Sequence, residues 1–282
     1  MNFMSNIKIV TDSAIHLSPA DIHNYHIHVM NPPILVDGKL YGYVNKISSE
    51  KFLQLYNQST KKPVIGQVSV DKLVKTYDEL GADGSQILSI HLSDKLTDTY
   101  ANAVKAAKKT NSRVTVLNSQ VTAAGLAYQV TTAAKDIQTG KPLHEIQSDL
   151  ENIRNNTRIY FSVQCNLQLV NHQIVGKLRG LLERQMNVQY ILQFTNNEFS
   201  FVTRGRKEEL VNKFWDQQLR TMHHERIVKL AILHSGGSQR ATFLYKMLSD
   251  EFPFVPISMI ATNPEMASFI GPESTGVTYL LG

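Results

Sequence analysis

The segment Ser93-Asp-Lys-Leu-Thr-Asp-Thr-Tyr100 constrains this chain more than any other. In front of it runs Gln86-Ile-Leu-Ser-Ile-His-Leu92, a short apolar stretch that reads as a buried strand. Behind it runs Ala101-Asn-Ala-Val-Lys-Ala-Ala-Lys-Lys109, rich in strong helix formers. A strand, a hydroxyl-rich turn and a helix start place backbone N–H groups and side-chain oxygens at one end of a sheet. In an α/β protein that edge is where small polar ligand groups are held.

The flanking sequence repeats this rhythm. Ile7 to Thr11 is a short β run ending in Asp12-Ser13, and Ser18-Pro19 opens a helix. Residues 27–30 and 34–36 read as strands, and Asp37-Gly38 is a two-residue hairpin signal. Ser49 to Gln58 is an amphipathic helix with Phe52, Leu53 and Tyr56 on one face. Val64-Ile65 leads into Gly66, and Ser69 is placed to cap the helix of Leu73, Val74, Tyr77 and Leu80. A strand at 86–92, a helix at 98–109, a strand at 113–118 and helices at 121–138 and 143–153 complete the first half. The expectation is an α/β protein of two domains, with a mainly parallel sheet flanked by helices over residues 1–156. Residues 157–282 change rhythm. A strand at 160–163 and helical character over 166–182 come first. Strands at 188–194 and 198–202 surround Asn196-Asn197, and a helix at 207–223 follows. A strand at 227–233, a helix at 239–250, a strand at 257–260 and a closing β run at 276–281 suggest a smaller α/β or α+β domain.

Composition narrows the function classes. The chain has 282 residues, enough to bury a sizeable core. Twenty-nine Lys and Arg against 24 Asp and Glu give a net charge of +5, scattered as pairs and one small cluster, Arg204-Gly-Arg-Lys207. A nucleic-acid footprint needs a basic stripe, so no nucleic-acid partner is expected. The single Cys165 excludes an intramolecular disulfide framework and argues against a thiolate zinc site. His172, His223, His224 and His234 have no metal-ligand spacing, and no Gly-x-Ser-x-Gly elbow occurs. No metal and no cofactor is expected. The N-terminus lacks a basic start followed by an apolar run, and no apolar run approaches the roughly 20 residues of a bilayer span. The chain reads as a soluble, cytoplasmic protein without a membrane span.

Each polar candidate carries two readings. Asp12-Ser13 either lines a ligand crevice or caps the following turn. Ser93 either donates to a ligand oxygen or closes a serine turn. Asp94 and Asp98 either meet a cation or basic head group or cap the helix behind them. Asn118-Ser119 ends a strand at the same edge, and Thr122 starts a helix. Ser235-Gly236-Gly237-Ser238, between a strand and a helix, either cradles a phosphate or is a plain connecting loop, and it lacks the Gly-x-x-x-x-Gly-Lys pattern. Gly271-Pro-Glu-Ser-Thr-Gly276 fixes a turn from which Ser274 and Thr275 can reach a ligand.

Five stretches in order carry a family resemblance. They are Ile9-Val-Thr-Asp-Ser13, Pro63-Val-Ile-Gly-Gln-Val-Ser69 and Leu92-Ser-Asp-Lys-Leu-Thr-Asp-Thr-Tyr100, then Val116-Leu-Asn-Ser119 with Gly125, and Ile270-Gly-Pro-Glu-Ser-Thr-Gly-Val277. Over nearly its whole length the chain resembles the DegV family of two-domain bacterial fatty-acid-binding proteins. The resemblance implies a binding protein rather than an enzyme. It implies a long-chain fatty acid or related lipid in a tunnel between or beneath the two domains, presented to a separate ATP-dependent fatty-acid kinase. Carried over position by position, it points to Asp12, Ser13, Ile65, Gly66, Ser93, Asp94, Thr97, Ser119, Phe269, Gly271, Ser274 and Thr275 as the ligand-binding set.

Several of these positions depart from the family pattern. Ile65 and Gly66 stand where the family has threonine and serine, and Phe269 stands where it has histidine. Asp94 replaces the second serine of a pair, and Asp98 replaces a glycine. The Gly-Gly-Arg motif falls near His172-Gln-Ile174, and the Lys-Pro of the next strand is Gln189-Tyr190. Each charge-assisted hydrogen bond to a carboxylate contributes about 1.5–3 kcal/mol, so lost donors and added carboxylates weaken an anion site. A neutral lipid, a protonated acid or a displaced head group are the outcomes consistent with that change. The alternative reading is an interaction or regulatory protein that keeps the fold and has lost fatty-acid head-group binding.

Overall fold

In the computed structural model, residues 6–164, 188–236 and 238–282 are described, without the side chains of Lys207, Glu208 and Ser238. Cys165, His172, Arg179, Gly237 and the helical stretch expected at 166–182 lie outside them. The chain divides into two compact units: residues 1–47 with 59–155, and residues 48–58 with 156–282.

The first unit is built on a four-stranded parallel sheet, ordered β2 (His28–Met30), β1 (Ile7–Asp12), β6 (Gln86–His91), β7 (Val114–Asn118). Parallel strands need crossover helices, and the sequence supplies them. Helices α3 (Val70–Gly81) and α4 (Thr99–Ala107) cover one face. Leu73, Tyr77, Ala103 and Ala106 pack there against Val10, Met30 and Ile87. Ser69 caps α3 as its position predicts, its Oγ accepting from the Lys72 N–H at 3.2 Å. α5 (Ala124–Gln138) packs on β1, and α6 (Leu143–Asn156) follows it.

A separate antiparallel sheet joins β4 (Lys39–Tyr43), β3 (Pro33–Val36) and β5 (Val64–Ile65). The hairpin signal holds: Val36 pairs with Lys39, and Asp37 and Gly38 both take positive φ, 50° and 76°. Two such residues give a turn whose twist matches the strands. α1 (Pro19–Asn24) opens on the Ser18 cap, which accepts from the Asp21 N–H at 3.0 Å.

The second unit carries a six-stranded mixed sheet, ordered β10 (Glu198–Arg206), β9 (Val188–Thr195), β8 (Thr157–Gln164), β13 (Ser274–Leu281), β11 (Ile227–Ser235), β12 (Ile257–Ala261). Only β11 and β12 run parallel, joined by α8 (Ser238–Glu251). Alternation along the strands gives the sheet two faces. One bears Tyr160, Ile191, Leu230, Ile232, Val277 and Tyr279, packed under α7 (Lys207–Met222) and α8 through Phe214, Trp215, Leu244 and Leu248. The other bears Phe161, Val163, Leu192, Phe194 and Leu233, all buried.

Two helices depart from the simplest sequence reading. α2 (Ser49–Gln58) matches its expected bounds, but its contacts place it with the second unit although it precedes β5 in the chain. α9 (Pro264–Ile270) is a fully buried helix that the hydrophobic pattern conceals, because apolar residues surround it. Its signal is Asn263-Pro264: an Asn cap accepting from the Met266 N–H at 2.9 Å, then proline at the first helical position.

Candidate functional site

The carboxyl ends of β1, β6 and β7 meet at one edge, as the crossover arrangement requires. Asp12 closes β1 and is 3% exposed. Its Oδ2 accepts the Leu92 N–H at 2.6 Å, and its Oδ1 lies 2.9 Å from His91 Nδ1. His91 Nε2 lies 2.7 Å from Ser89 Oγ, which lies 2.8 Å from Tyr77 Oη. Ser89, His91 and Tyr77 are fully buried. Serine, histidine and aspartate here share the connectivity of a hydrolase triad. The serine hydroxyl is engaged by a core tyrosine, so the chain serves to strut β1, β6 and α3 from inside. Burial pushes the Tyr77 phenol up to about 12, with the Ser89 hydrogen bond opposing and the Asp12 charge adding to the rise. The sequence signal for this relay was the Ser89-x-His91 alternation, which puts both side chains on one face of β6.

The neighbouring candidates are tied into the same edge. Ser119 N–H donates to the His91 carbonyl at 2.9 Å, and Ser93 N–H donates to the Val121 carbonyl at 3.3 Å. The Ser93 side chain is buried, and its Oγ accepts the Lys95 N–H at 3.1 Å, closing a serine turn. Thr97 is buried and its Oγ1 accepts the Thr99 N–H at 3.0 Å. Asp94 and Asp98 are exposed. Asp98 holds the N-cap position of α4 without a side-chain cap bond, and its N–H donates to Gln67 Oε1 at 3.1 Å. Ser13 begins a single 3-10 turn after β1. Ile65 and Gly66 are half-buried, with the Gly66 N–H donating to the Pro33 carbonyl at 2.8 Å.

Ser119 Oγ lies 3.3 Å from the Val121 N–H, and its carbonyl accepts from Gln129 Nε2 at 3.0 Å. The link to α5 then passes through Ala123 at φ 53°, ψ −137°. That region is used almost only by glycine, so this turn stores backbone strain at the sheet edge. It also delays α5 to residue 124, later than the expected 121. The structure thus draws Asp12, Ser93, Thr97 and Ser119 into one network of the first unit.

The other candidates belong to the second unit. Phe269 is buried within α9, and Gly271 ends that helix at φ 76° with its N–H on the Ala267 carbonyl at 2.9 Å. Ser274 Oγ donates to the Ile270 carbonyl at 2.6 Å. Thr275, 2% exposed, has no partner for its Oγ1. Gly276 packs where a Cβ would stand 2.8 Å from the ring of Phe161. Arg204 and Arg206 line a groove of about 550 Å³ between β10 and α7, together with Lys213, Leu210 and Phe214.

Sequence reading missed Thr262 and Ser49, and took Ser235 as part of a loop that either cradles a phosphate or is a plain connection. Ser235, Thr262 and Ser49 are 0%, 2% and 6% exposed, and none of their hydroxyls has a partner. Native proteins pair nearly all buried polar groups, so such a group asks for an explanation. Ser235 and Thr262 follow the paired residues His234 and Ala261 in the parallel register, and the Thr262 N–H donates to the His234 carbonyl at 2.9 Å. They therefore share the sheet face of Leu233. α2 approaches the loop that follows β11: Leu53 Cδ1 is 3.1 Å from where a Cβ on Gly236 would stand, and the exposed Glu50 acts electrostatically on His234.

Among the described residues, no helix is long and apolar enough to cross a membrane, and no group of three or more His, Cys, Asp or Glu is placed to hold a metal ion. The family described as "Uncharacterised protein, DegV family" matches residues 6–281. A DegV domain-containing protein of Streptococcus pyogenes serotype M3 is 31% identical over 275 residues, covering 97% of this chain and 98% of that protein. Solved structures of the family resemble the fold, two of them as follows. One, titled "Fatty Acid Binding of a DegV family Protein from Thermus thermophilus", matches with TM-score 0.88 and 23% identity over 98% of this chain and 100% of that one. The other, titled "Crystal Structure of DegV, a fatty acid binding protein from Bacillus subtilis", matches with TM-score 0.87 and 20% identity over 99% and 100%.

Proposed function

The chain belongs to the DegV family, and on that premise we propose that it binds and carries a long-chain acyl lipid, a fatty acid or a close relative. The observation that carries this reading is the second face of the six-stranded sheet. A row of buried apolar side chains, Phe194, Leu192, Phe161, Val163 and Leu233, ends in hydroxyls without partners. A surface that is apolar along its length and polar at one end has the chemistry of an acyl chain with its head group. Each methylene buried contributes about 0.8 kcal/mol, so a long tail supplies most of the affinity even where the head is weakly held. The Thermus thermophilus and Bacillus subtilis proteins, both described as fatty acid binding, support the same ligand class.

In this reading the protein holds its ligand for another catalyst. A separate ATP-dependent acyl kinase, receiving the lipid from the bound state, is the partner proposed. A second reading is favoured by one observation: Ile65, Gly66 and Phe269 leave their positions without side-chain donors. A protein of that kind keeps the fold as an interaction surface and binds no acyl ligand.

Titration calorimetry on delipidated full-length protein separates the two. Saturable binding of one C16–C18 acyl lipid per chain supports the carrier. Absence of heat and of thermal stabilisation with acids, alcohols and esters of that length leaves the interaction reading.

A further inference from the structure

The small antiparallel sheet of the first unit turns an apolar face to solvent. Its register aligns Val64, Leu35 and Leu40 in one row across β5, β3 and β4, with Pro33 and Tyr43 as the next pair on that side. Ile34, one residue out of phase, belongs to the other face and is 0% exposed. An antiparallel sheet solvated on one side ordinarily puts polar side chains there. Here Leu40, Val64 and Tyr43 are 58%, 48% and 41% exposed, and Tyr41, at the irregularity in β4, is 45% exposed. Single exposed apolar residues need no explanation, but a contiguous group on one sheet marks an interaction surface.

The charges around this face are mostly of one sign. Residues 31–47 and 59–72, which carry the sheet and its flanks, hold Lys39, Lys46, Lys61, Lys62 and Lys72 against Asp37 and Asp71, and all five lysines are exposed. Register gathers three of them: Lys39 pairs with Val36 at the turn end of the sheet, and Lys61-Lys62 enter β5 at that same end, because Val64 pairs with Leu35. At the other end the Lys72 Nζ lies 5.2 Å from the centre of the Tyr43 ring. Protein interfaces are depleted in lysine and enriched in arginine, and these two segments contain no arginine. Lysines flanking exposed leucine and tyrosine suit the negative surface of a bilayer, where amphipathic tyrosines sit at head-group level.

We propose that the outer face of β3, β4 and β5 is a peripheral docking surface for a bilayer carrying anionic lipid, with Leu40, Tyr43 and Val64 entering the head-group layer and the lysines facing its charge. This goes beyond the acyl ligand and does not depend on it.

The test is flotation of full-length protein with vesicles of phosphatidylcholine alone or with about one-third phosphatidylglycerol. Partitioning to the anionic vesicles should be at least about tenfold stronger, and the gain should shrink at high salt. Lys61→Gln with Lys62→Gln should weaken that binding about twentyfold, since each lysine near an anionic surface contributes a factor of about five. Leu40→Ser with Tyr43→Ser should weaken it about tenfold or more. All four side chains are exposed, so both pairs should keep the wild-type melting temperature, and should the apolar pair unfold, the lysine pair decides. Weakened binding in either folded pair supports the surface. Equal partitioning to both kinds of vesicle, no partitioning at all, or wild-type binding in every folded pair overturns it. So does a wild-type dimer that Leu40→Ser with Tyr43→Ser dissolves, because the face then joins two copies of the chain.

Discussion

His91 Nδ1 and Asp12 Oδ1 meet at 2.9 Å inside the first unit, with His91 fully buried and Asp12 3% exposed. The same carboxylate accepts the Leu92 N–H at 2.6 Å, so one side chain fixes the last residue of β6 and the start of the Ser93 turn. Removing Asp12 leaves the buried His91 ring and the Leu92 N–H without their acceptor, at about 1–3 kcal/mol for each group. Asp12→Ala should therefore lose stability of that order in urea denaturation, with an unchanged m-value. A loss below about 1 kcal/mol would show that the relay is dispensable.

Gly276 and Phe161 predict a coupling. A Cβ on residue 276 would stand 2.8 Å from two ring atoms of Phe161. Overpacking of this kind costs about 1–3 kcal/mol. Gly276→Ala should lower the melting temperature, and Phe161→Leu in the same chain should recover part of the loss. A double-mutant cycle measures this, and strict additivity of the two changes would contradict the contact.

His16 predicts an acid sensitivity. Burial lowers its imidazole from 6.5 to about 4, with the Ala14 carbonyl weakly opposing. Between those values the unfolded chain binds the proton and the folded chain does not. Stability from this group is present above pH 6.5 and is lost as the pH falls from 6.5 through 4. His28 and His234 shift in the same direction, so they add to the trend. His16 also sits at φ 52°, a conformation asparagine tolerates. His16→Asn should flatten the fall in denaturation midpoint between pH 7 and pH 4.5. An identical pH profile for variant and wild type would refute the assignment.

Ser69 tests the local reading of α3. Its Oγ accepts the Lys72 N–H at 3.2 Å, and loss of such a cap costs about 1 kcal/mol. Ser69→Ala should be destabilised by that amount, whereas Ser69→Asp should retain wild-type stability.

The alternating strand and helix patterns made the parallel sheet of the first unit legible, because β1, β6 and β7 are short apolar runs followed by capped helices. The Asp37-Gly38 turn was equally open, since its backbone demands those residues. The partnership of α2 with the second unit was not, because an amphipathic face declares that it is buried without naming its partner. The relay from Tyr77 to Asp12 links residues 65 apart through a serine and a histidine that look like ordinary strand residues one by one. The hydroxyls of Ser49 and Thr262 escaped for the same reason, and Ser235 stood out only as part of a loop: only three-dimensional burial shows that the three lack partners. Position-by-position likeness directed attention to Ser93 and Thr97, whose oxygens are engaged by the turn that contains them.

A chain that carries an acyl lipid must form a complex with it that survives transfer to the gas phase. Native mass spectrometry of the full-length protein, purified without detergent and then mixed with one equivalent of 1-monooleoylglycerol or oleate, addresses this most directly. A carrier gives a 1:1 complex at the summed mass with at least one of the two lipids. A spectrum showing only the bare chain with both lipids would contradict it.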